Sequence, residues 1–176
     1  LPGLACLAAE QASGSLVGDP AFASGHSLGE YTALAAAGAL DFEAGLRLVE
    51  TRGRVTQSVA DATPGAMAAV MGLDEAATEA VCRDTGAELC NINSPAQIVI
   101  GGTKDAITKA CALAVERGAQ RAKPLDVGGP SHTALMEPAG PALDAARPHP
   151  RIRPPPPRVR PTPAAPPPHR RRRSAS

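Results

Sequence analysis

Apolar and polar residues alternate with two different periods along this chain, and the period changes near Thr63. Before that point apolar side chains recur at spacings of three and four, which is typical of amphipathic helices. The predicted helices span residues 1–13, 31–37 and about 42–60. Asp41 is the predicted N-cap of the third helix. The short apolar run 21–23, between the first two helices, is a predicted strand.

After Thr63 short apolar runs alternate with helical patterns. The predicted order is strand 66–71, helix 74–84, strand 88–92, strand 97–100, helix 104–117 and strand 120–127. This strand-helix-strand-strand-helix-strand order is typical of a ferredoxin-like (βαββαβ) subdomain. A further helical pattern reaches about residue 146. The domain prediction is therefore a subdomain at 63–127 inserted into a core made of 1–62 and 128–146.

The charge distribution separates the last thirty residues from the rest. Residues 147–176 hold nine of the 18 basic residues, eleven of the 19 prolines and no acidic residue, so we predict a disordered Pro/Arg-rich tail. The preceding residues hold the other nine basic and all 17 acidic groups, a net charge of −8. This balance disfavours a nucleic-acid-binding protein. No apolar run approaches the ~20 residues that cross a bilayer, so no membrane association is expected.

Four cysteines, Cys6, Cys82, Cys90 and Cys111, are widely spaced and include no C-x-x-C pair. Neither a zinc site nor a disulfide framework is indicated. We interpret them as small buried residues with free thiols, and the expected location is cytoplasmic.

The residues Gly25-His26-Ser27-Leu28-Gly29 match G-x-S-x-G, the nucleophile-elbow pattern. An apolar run precedes the serine and an Ala-rich helix follows it, as the elbow requires. The glycines are expected where the backbone is strained and approaches itself closely. Ser27 is therefore the candidate nucleophile, and the Leu28 amide at the helix N-terminus is a candidate oxyanion donor. The alternative is a Gly-Ser loop without chemistry.

A serine nucleophile needs a base, and the chain has four histidines. His149 and His169 lie in the predicted tail, and His26 is adjacent to Ser27, where a strained turn directs neighbouring side chains apart. His132 follows a Gly-Gly-Pro turn directly after the last predicted strand of the subdomain. It is therefore the candidate base, and the alternative is an ordinary surface-loop histidine.

Arg52 lies on the apolar stripe of the helix predicted at 42–60, which also carries Leu48, Val49, Val55 and Val59. An arginine that faces a core is costly unless a carboxylate meets it, and its guanidinium binds a carboxylate through two hydrogen bonds. The alternative is a structural ion pair, with Glu30 or Glu50 as partner. Beside a serine nucleophile, Arg52 indicates a substrate that carries a free carboxylate.

Five motifs occur in one order along the chain: Gly25-His26-Ser27-Leu28-Gly29-Glu30-Tyr31, Thr51-Arg52-Gly53, Gly65-Ala66-Met67-Ala68, Asn91-Ile92-Asn93-Ser94-Pro95 and Pro130-Ser131-His132. In these motifs, residues 1–145 resemble the malonyl-CoA:acyl carrier protein transacylases and their relatives, the acyltransferase domains of polyketide synthases. The resemblance implies an α/β fold with an α/β-hydrolase-like parallel sheet and a ferredoxin-like insert. It also implies that Ser27 carries the malonyl ester, His132 is the base, Arg52 binds the malonyl carboxylate and Leu28 supplies an oxyanion amide.

The activity that the resemblance implies is transfer of malonyl from malonyl-CoA to the phosphopantetheine thiol of acyl carrier protein, in fatty acid biosynthesis. No metal or redox cofactor is expected, and a monomer is expected. The family's first strand with its Gly-Gln-Gly loop and its last strands are missing from the pattern, and the chain begins at Leu1. We therefore expect a fragment truncated at both ends, with a tail that is read out of frame or is a disordered linker.

Two other functional hypotheses stay open. A serine esterase or thioesterase of the same broad fold would use water in place of the carrier thiol and would not require Arg52. A non-catalytic interaction module would act through the Pro/Arg tail, and deletion of residues 147–176 would then remove its function.

Overall fold

The structure is a computed structural model that describes residues 2–14 and 22–146. Its helices are α1 (Pro2–Ser13), α2 (Gly29–Ala36), α3 (Phe42–Ala62), α4 (Glu75–Thr85), α5 (Lys104–Glu116) and α6 (Ala139–Ala146). Its strands are β1 (Ala66–Met71), β2 (Glu88–Ser94), β3 (Gln97–Gly102) and β4 (Arg121–Pro124). A short 3₁₀ helix spans Ala134–Met136. Two compact units are present: the first ends at Val49 and the second begins at Glu50.

The described part of the first unit contains α1, α2 and the start of α3. Helices α1 and α2 pack closely at Gly3, where a Cβ would lie 2.9 Å from Thr32 Cγ2. The side-chain carboxylate of Asp41 accepts a hydrogen bond from the Ala44 amide at 3.4 Å, and the Asp41 carbonyl accepts one from the Gly45 amide. The N-cap predicted at Asp41 is therefore confirmed.

The second unit contains one antiparallel sheet with the strand order β2-β3-β1-β4. Helices α4 and α5 cover one face, and the core between helices and sheet is fully buried at Val70, Val81, Ile100 and Ala110. The alanines of α5 recur at spacings of four at its buried face, so this helix approaches the sheet closely. The succession of strands and helices after Thr63 is the predicted one.

Local capping sets the ends of both covering helices. The Asp74 carboxylate accepts from the Ala77 amide at 2.8 Å, and the Thr103 hydroxyl accepts from the Ala106 amide at 3.2 Å. Helix α4 ends at Gly86, whose φ of 77° lies in the left-handed region. Polar N-caps and a glycine after the last turn are signals that the sequence displays, which explains why the predicted bounds lie within one residue of the observed ones.

The last strand is shorter than predicted, because β4 ends at Pro124 and not near Val127. Its partner β1 begins at Ala66, and one further hydrogen bond, from the Leu125 amide to the Met67 carbonyl, completes the ladder. Conversely, β3 extends two residues past the predicted end at Ile100, because Gly101 and Gly102 still pair with β1.

The described residues do not form the parallel sheet expected of an α/β-hydrolase-like core. The only sheet among them is the antiparallel one, and in the described part of the strand predicted at 21–23 Ala23 is a single bridge residue. A parallel strand needs neighbours supplied through crossover connections, and the described part of the first unit contributes none. Ala21, the first residue of that predicted strand, lies outside the described residues, as do Leu1 and the tail predicted at 147–176.

All four cysteines carry free thiols, as predicted. Cys82 is buried and Cys90 and Cys111 are half-buried, but Cys6 is exposed, so the prediction that it is buried is wrong. Two residues advance a helix by roughly 200°, which takes Cys6 away from the face at Leu4 that is partly covered.

We expect the free energy of unfolding to fall above pH 9, in part through Cys82. Burial, with a smaller contribution from Glu79, raises the pKa of this thiol from 9.0 to about 11. Below pH 9 the thiol is neutral in both states, whereas at higher pH only the unfolded chain ionises and is favoured. The loss that Cys82 contributes between pH 9 and pH 11 is roughly 2 kcal/mol.

Urea unfolding followed by circular dichroism across this pH range measures the effect. A Cys82→Ala variant should lose less stability than the wild type, and Cys6→Ala, which removes an exposed thiol, should match the wild type. Parallel pH curves for wild type and Cys82→Ala would contradict the assignment.

Candidate active site

Ser27 lies on a left-handed turn that leads directly into α2. Its φ is 51°, a conformation that residues other than glycine, asparagine and aspartate adopt rarely. The Gly29 amide donates to the His26 carbonyl at 2.8 Å, and the Glu30 amide donates to the Ser27 carbonyl at 3.2 Å. The single bridge residue Ala23 precedes the turn. The backbone around Ser27 is thus strained in the way that the elbow pattern predicts.

Gly25 is required by a close approach of the backbone to itself. A Cβ at this position would lie 2.0 Å from the carbonyl carbon and oxygen of Gly29 and 2.6 Å from the Glu30 nitrogen. No side chain fits there. Gly29 differs, because a Cβ on it would meet no described atom within 4 Å. The steric reason predicted for both glycines therefore holds for Gly25 only.

Leu28 is the N-cap residue of α2 and makes no side-chain capping hydrogen bond. Its backbone has helical φ and ψ, and its side chain is 45% exposed. The Leu28 amide therefore lies at the positive end of the dipole of an eight-residue helix, directly after the strained serine. This is the position from which an amide can stabilise an oxyanion formed at Ser27.

Arg52 lies on the partly covered face of α3, as the sequence predicts. Its side chain is half-buried, like those of Leu48 and Val55, whereas Arg47 and Arg54 on the same helix are exposed. Arg47 pairs with Glu43 across one helical turn at 3.7 Å. A guanidinium at a half-buried position is partly desolvated, so a carboxylate that reaches it binds more strongly than at the open surface.

His132 lies in a tightly built loop and has a φ of 63°. Within the described residues, Ser27 and His132 are the only residues other than glycine with positive φ. Pro130, two residues before His132, is fully buried: a Cβ on Gly65 would lie 2.5 Å from its ring. The imidazole itself is exposed. A fixed backbone that presents an exposed side chain suits a base that acts on an incoming substrate.

The loop before His132 packs on the same helix that carries Arg52. A Cβ on Gly129 would lie 2.5 Å from the Ala60 Cβ, and one on Gly128 would lie 3.5 Å from Gln57 Oε1. Gln57 and Ala60 are five and eight residues beyond Arg52, about 8 and 12 Å along the helix axis. Arg52 and His132 therefore belong to connected parts of the second unit, while Ser27 and Leu28 belong to the first.

The cysteines offer no alternative nucleophile in the second unit. Burial and the nearby Glu88 carboxylate raise the pKa of Cys90 to about 12, and the pKa of Cys82 is raised to about 11. Burial also raises the pKa of Cys111. Near neutral pH these thiols are protonated and poorly nucleophilic. The part of the chain that the structure describes contains no cluster of three histidine, cysteine, aspartate or glutamate side chains that could hold a metal ion.

Two of the four histidines considered as bases, His149 and His169, lie outside the described residues. His26 has an exposed side chain next to Ser27. No helix in residues 2–14 or 22–146 is long and apolar enough to cross a bilayer.

A strained serine followed by a helix, a half-buried arginine and an exposed loop histidine are residue types that acyl transfer can use. The chain belongs to the acyl transferase domain family, whose model matches residues 4–167.

Among curated relatives, the chain is similar to the malonyl CoA-acyl carrier protein transacylase of Escherichia coli strain K12, with 47% identity over 128 residues. The match covers 70% of this chain and 41% of the relative, so the chain spans less than half the length of the transacylase it matches.

Two solved structures are similar. One is the crystal structure of an acyl carrier protein S-malonyltransferase from Vibrio cholerae, with a TM-score of 0.75 and 44% identity, covering 81% of this chain and 47% of that one. The other is a malonyl transacylase in complex with the acyl carrier protein of a type II polyketide synthase. Its TM-score is 0.76 and its identity 39%, with the same two coverages.

Proposed function

We propose that this chain carries the catalytic residues of a malonyl transferase, which moves malonyl from malonyl-CoA to the phosphopantetheine thiol of acyl carrier protein in fatty acid biosynthesis. The observation that carries the proposal is the left-handed Ser27 at the start of α2, in a chain of the acyl transferase domain family. The names of the E. coli and V. cholerae relatives support the malonyl group and the carrier protein as substrates.

The proposed reaction has two halves. Ser27 Oγ attacks the thioester carbonyl of malonyl-CoA while the His132 imidazole accepts its proton, and the oxyanion accepts a hydrogen bond from the Leu28 amide. The CoA thiolate leaves and takes that proton. The carrier thiol then gives a proton to His132 and attacks the seryl ester, and Ser27 regains its proton as it leaves.

Arg52 provides the selectivity in this proposal. Its guanidinium pairs with the free malonyl carboxylate, which an acetyl group lacks. No metal or redox cofactor takes part, because proton transfer and oxyanion stabilisation are sufficient for acyl exchange. The resemblance to the transacylases implies that the histidine is oriented by a backbone carbonyl or an amide side chain late in the family's sequence, and not by an aspartate.

The proposed architecture is an α/β-hydrolase-like core made of 1–62 and 128–146, with a ferredoxin-like subdomain at 63–127. The element order and the strand order β2-β3-β1-β4 support the subdomain. The proposed reaction requires Ser27, Arg52 and His132 to act on the same malonyl group. We further propose a cytoplasmic monomer.

A polyketide-synthase acyltransferase is the second candidate. One similar solved structure is a malonyl transacylase bound to a type II polyketide carrier protein, which favours a carrier thiol as acceptor in either pathway.

The proposal is tested by incubating the chain with labelled malonyl-CoA and analysing it by intact mass and peptide mapping. We expect one malonyl group, located on Ser27, that moves to acyl carrier protein bearing phosphopantetheine. Release of free malonate at the same rate with and without carrier protein would favour the serine esterase or thioesterase. Absence of any adduct would contradict the proposal for this chain.

A further inference from the structure

The loop that carries His132 is fixed to the sheet of the second unit at the residue that follows the histidine. Thr133 is buried, and its hydroxyl donates to the Pro130 carbonyl at 2.6 Å. Its methyl group lies over Gly101, where a Cβ would come within 2.7 Å of Thr133 Cγ2. The absence of a side chain at Gly101 therefore makes room for the loop.

Glu88 projects from the sheet at the same place. In the β2–β3 ladder Glu88 pairs directly with Gly101, and residues that pair across strands extend to the same face. The Glu88 carboxylate thus lies on the face that Thr133 covers. Both of its oxygens accept from the Ala134 amide, at 3.0 and 3.2 Å.

This contact supplies a cap that the local sequence does not. Thr133 is the N-cap residue of the 3₁₀ helix Ala134–Met136, but it makes no side-chain capping hydrogen bond, because its hydroxyl is directed to Pro130. The Ala134 amide is the first donor of that helix, and it would otherwise depend on water. A carboxylate 46 residues earlier in the chain caps it, and the bond is charge-assisted.

We propose that Glu88 is a positioning residue for His132: it holds the loop at Ala134 and so fixes the left-handed backbone from which the imidazole is presented. The inference rests on the proposed function for its catalytic consequence, but the contact itself is independent of it. Two fixed points then flank the histidine, the buried Pro130 on one side and the capped Ala134 on the other. Without the second point the strained φ of His132 is free to relax.

The experiment compares Glu88→Ala and Glu88→Gln with the wild-type chain. Glutamine retains a carbonyl oxygen that accepts from the Ala134 amide, whereas alanine retains none. The matched control is Glu79→Ala, which removes an exposed carboxylate that pairs with Arg83 across one turn of α4.

The first readout is hydrogen exchange of the Ala134 amide, followed by NMR. We expect exchange about tenfold faster in Glu88→Ala, close to wild type in Glu88→Gln, and unchanged in Glu79→Ala. The second readout is the rate of malonyl ester formation on Ser27. We expect the maximal rate to fall about tenfold in Glu88→Ala at an unchanged half-saturating malonyl-CoA concentration, with Glu88→Gln restoring most of it.

Unchanged exchange at Ala134 in Glu88→Ala would overturn the proposal. So would faster exchange with an unaltered ester-formation rate, or an equal loss of rate in Glu79→Ala. If the wild-type chain forms no seryl ester, the proposed function fails, while the exchange at Ala134 still decides whether Glu88 holds the loop.

Discussion

A Ser27→Ala variant is expected to lose malonyl ester formation by at least about 1000-fold, to the level of the uncatalysed background. The substitution removes the only oxygen that the proposed mechanism acylates. Alanine has the same Cβ as serine, so the strained φ of 51° is no less accessible to it. The fold around the turn should therefore persist, and the loss should be one of chemistry. Intact-mass measurement after incubation with malonyl-CoA gives the extent of labelling directly.

The matched control is Ser24→Ala, which removes an exposed hydroxyl three residues earlier on the same segment. It should be labelled like the wild type, and both variants should give the wild-type circular dichroism spectrum. Persistent labelling of Ser27→Ala at a different residue would contradict the assignment of the nucleophile. Loss of labelling in both variants would show that labelling depends on the intact segment and not specifically on the Ser27 hydroxyl.

An Arg52→Ala variant is expected to lower kcat/KM for malonyl-CoA by roughly 100- to 1000-fold while sparing or improving acetyl-CoA. A hydrogen-bonded, partly desolvated ion pair is worth about 3–4 kcal/mol when one partner is removed, and only the malonyl group carries the other partner. Acetyl has no carboxylate for the guanidinium to bind, so removal of Arg52 takes no contact away from the acetyl group. The ratio of the two kcat/KM values, measured as acyl transfer to the carrier protein, isolates this effect from changes in folding.

Arg54→Ala is the control on the same helix, because Arg54 is exposed. Its ratio of malonyl to acetyl transfer should equal that of the wild type. An unchanged ratio in Arg52→Ala would contradict the proposal that Arg52 binds the malonyl carboxylate, and it would favour the serine hydrolase.

Much of the second unit could be predicted from local signals. The bounds of β1 agree residue for residue, and the caps at Asp74 and Thr103 fix the starts of α4 and α5. These features depend on neighbours within four residues, which a sequence displays directly. The half-buried position of Arg52 was also predictable, because helical periodicity alone places it on the apolar stripe.

The features that were missed depend on contacts between distant residues. Glu88 appears in the sequence as an ordinary strand residue, and its hydrogen bond to Ala134 spans 46 positions. Gly101 carried a weak signal, since a glycine inside a strand often marks a close approach, and here that approach is to Thr133. The end of β4 depends on its pairing with a strand 50 or more residues earlier, which the residues of β4 alone do not reveal.

The left-handed backbone at position 27 also limits which functional group can act there. Threonine branches at Cβ, and a branched residue at positive φ is a steric outlier, whereas serine and cysteine are not branched. The turn therefore admits a primary alcohol or a thiol and selects against a secondary alcohol. An evolutionary or engineered exchange of the reactive group at this turn is thus confined to replacing serine with cysteine. That exchange turns the ester intermediate into a thioester, with a different leaving group, and leaves the path of the chain unchanged.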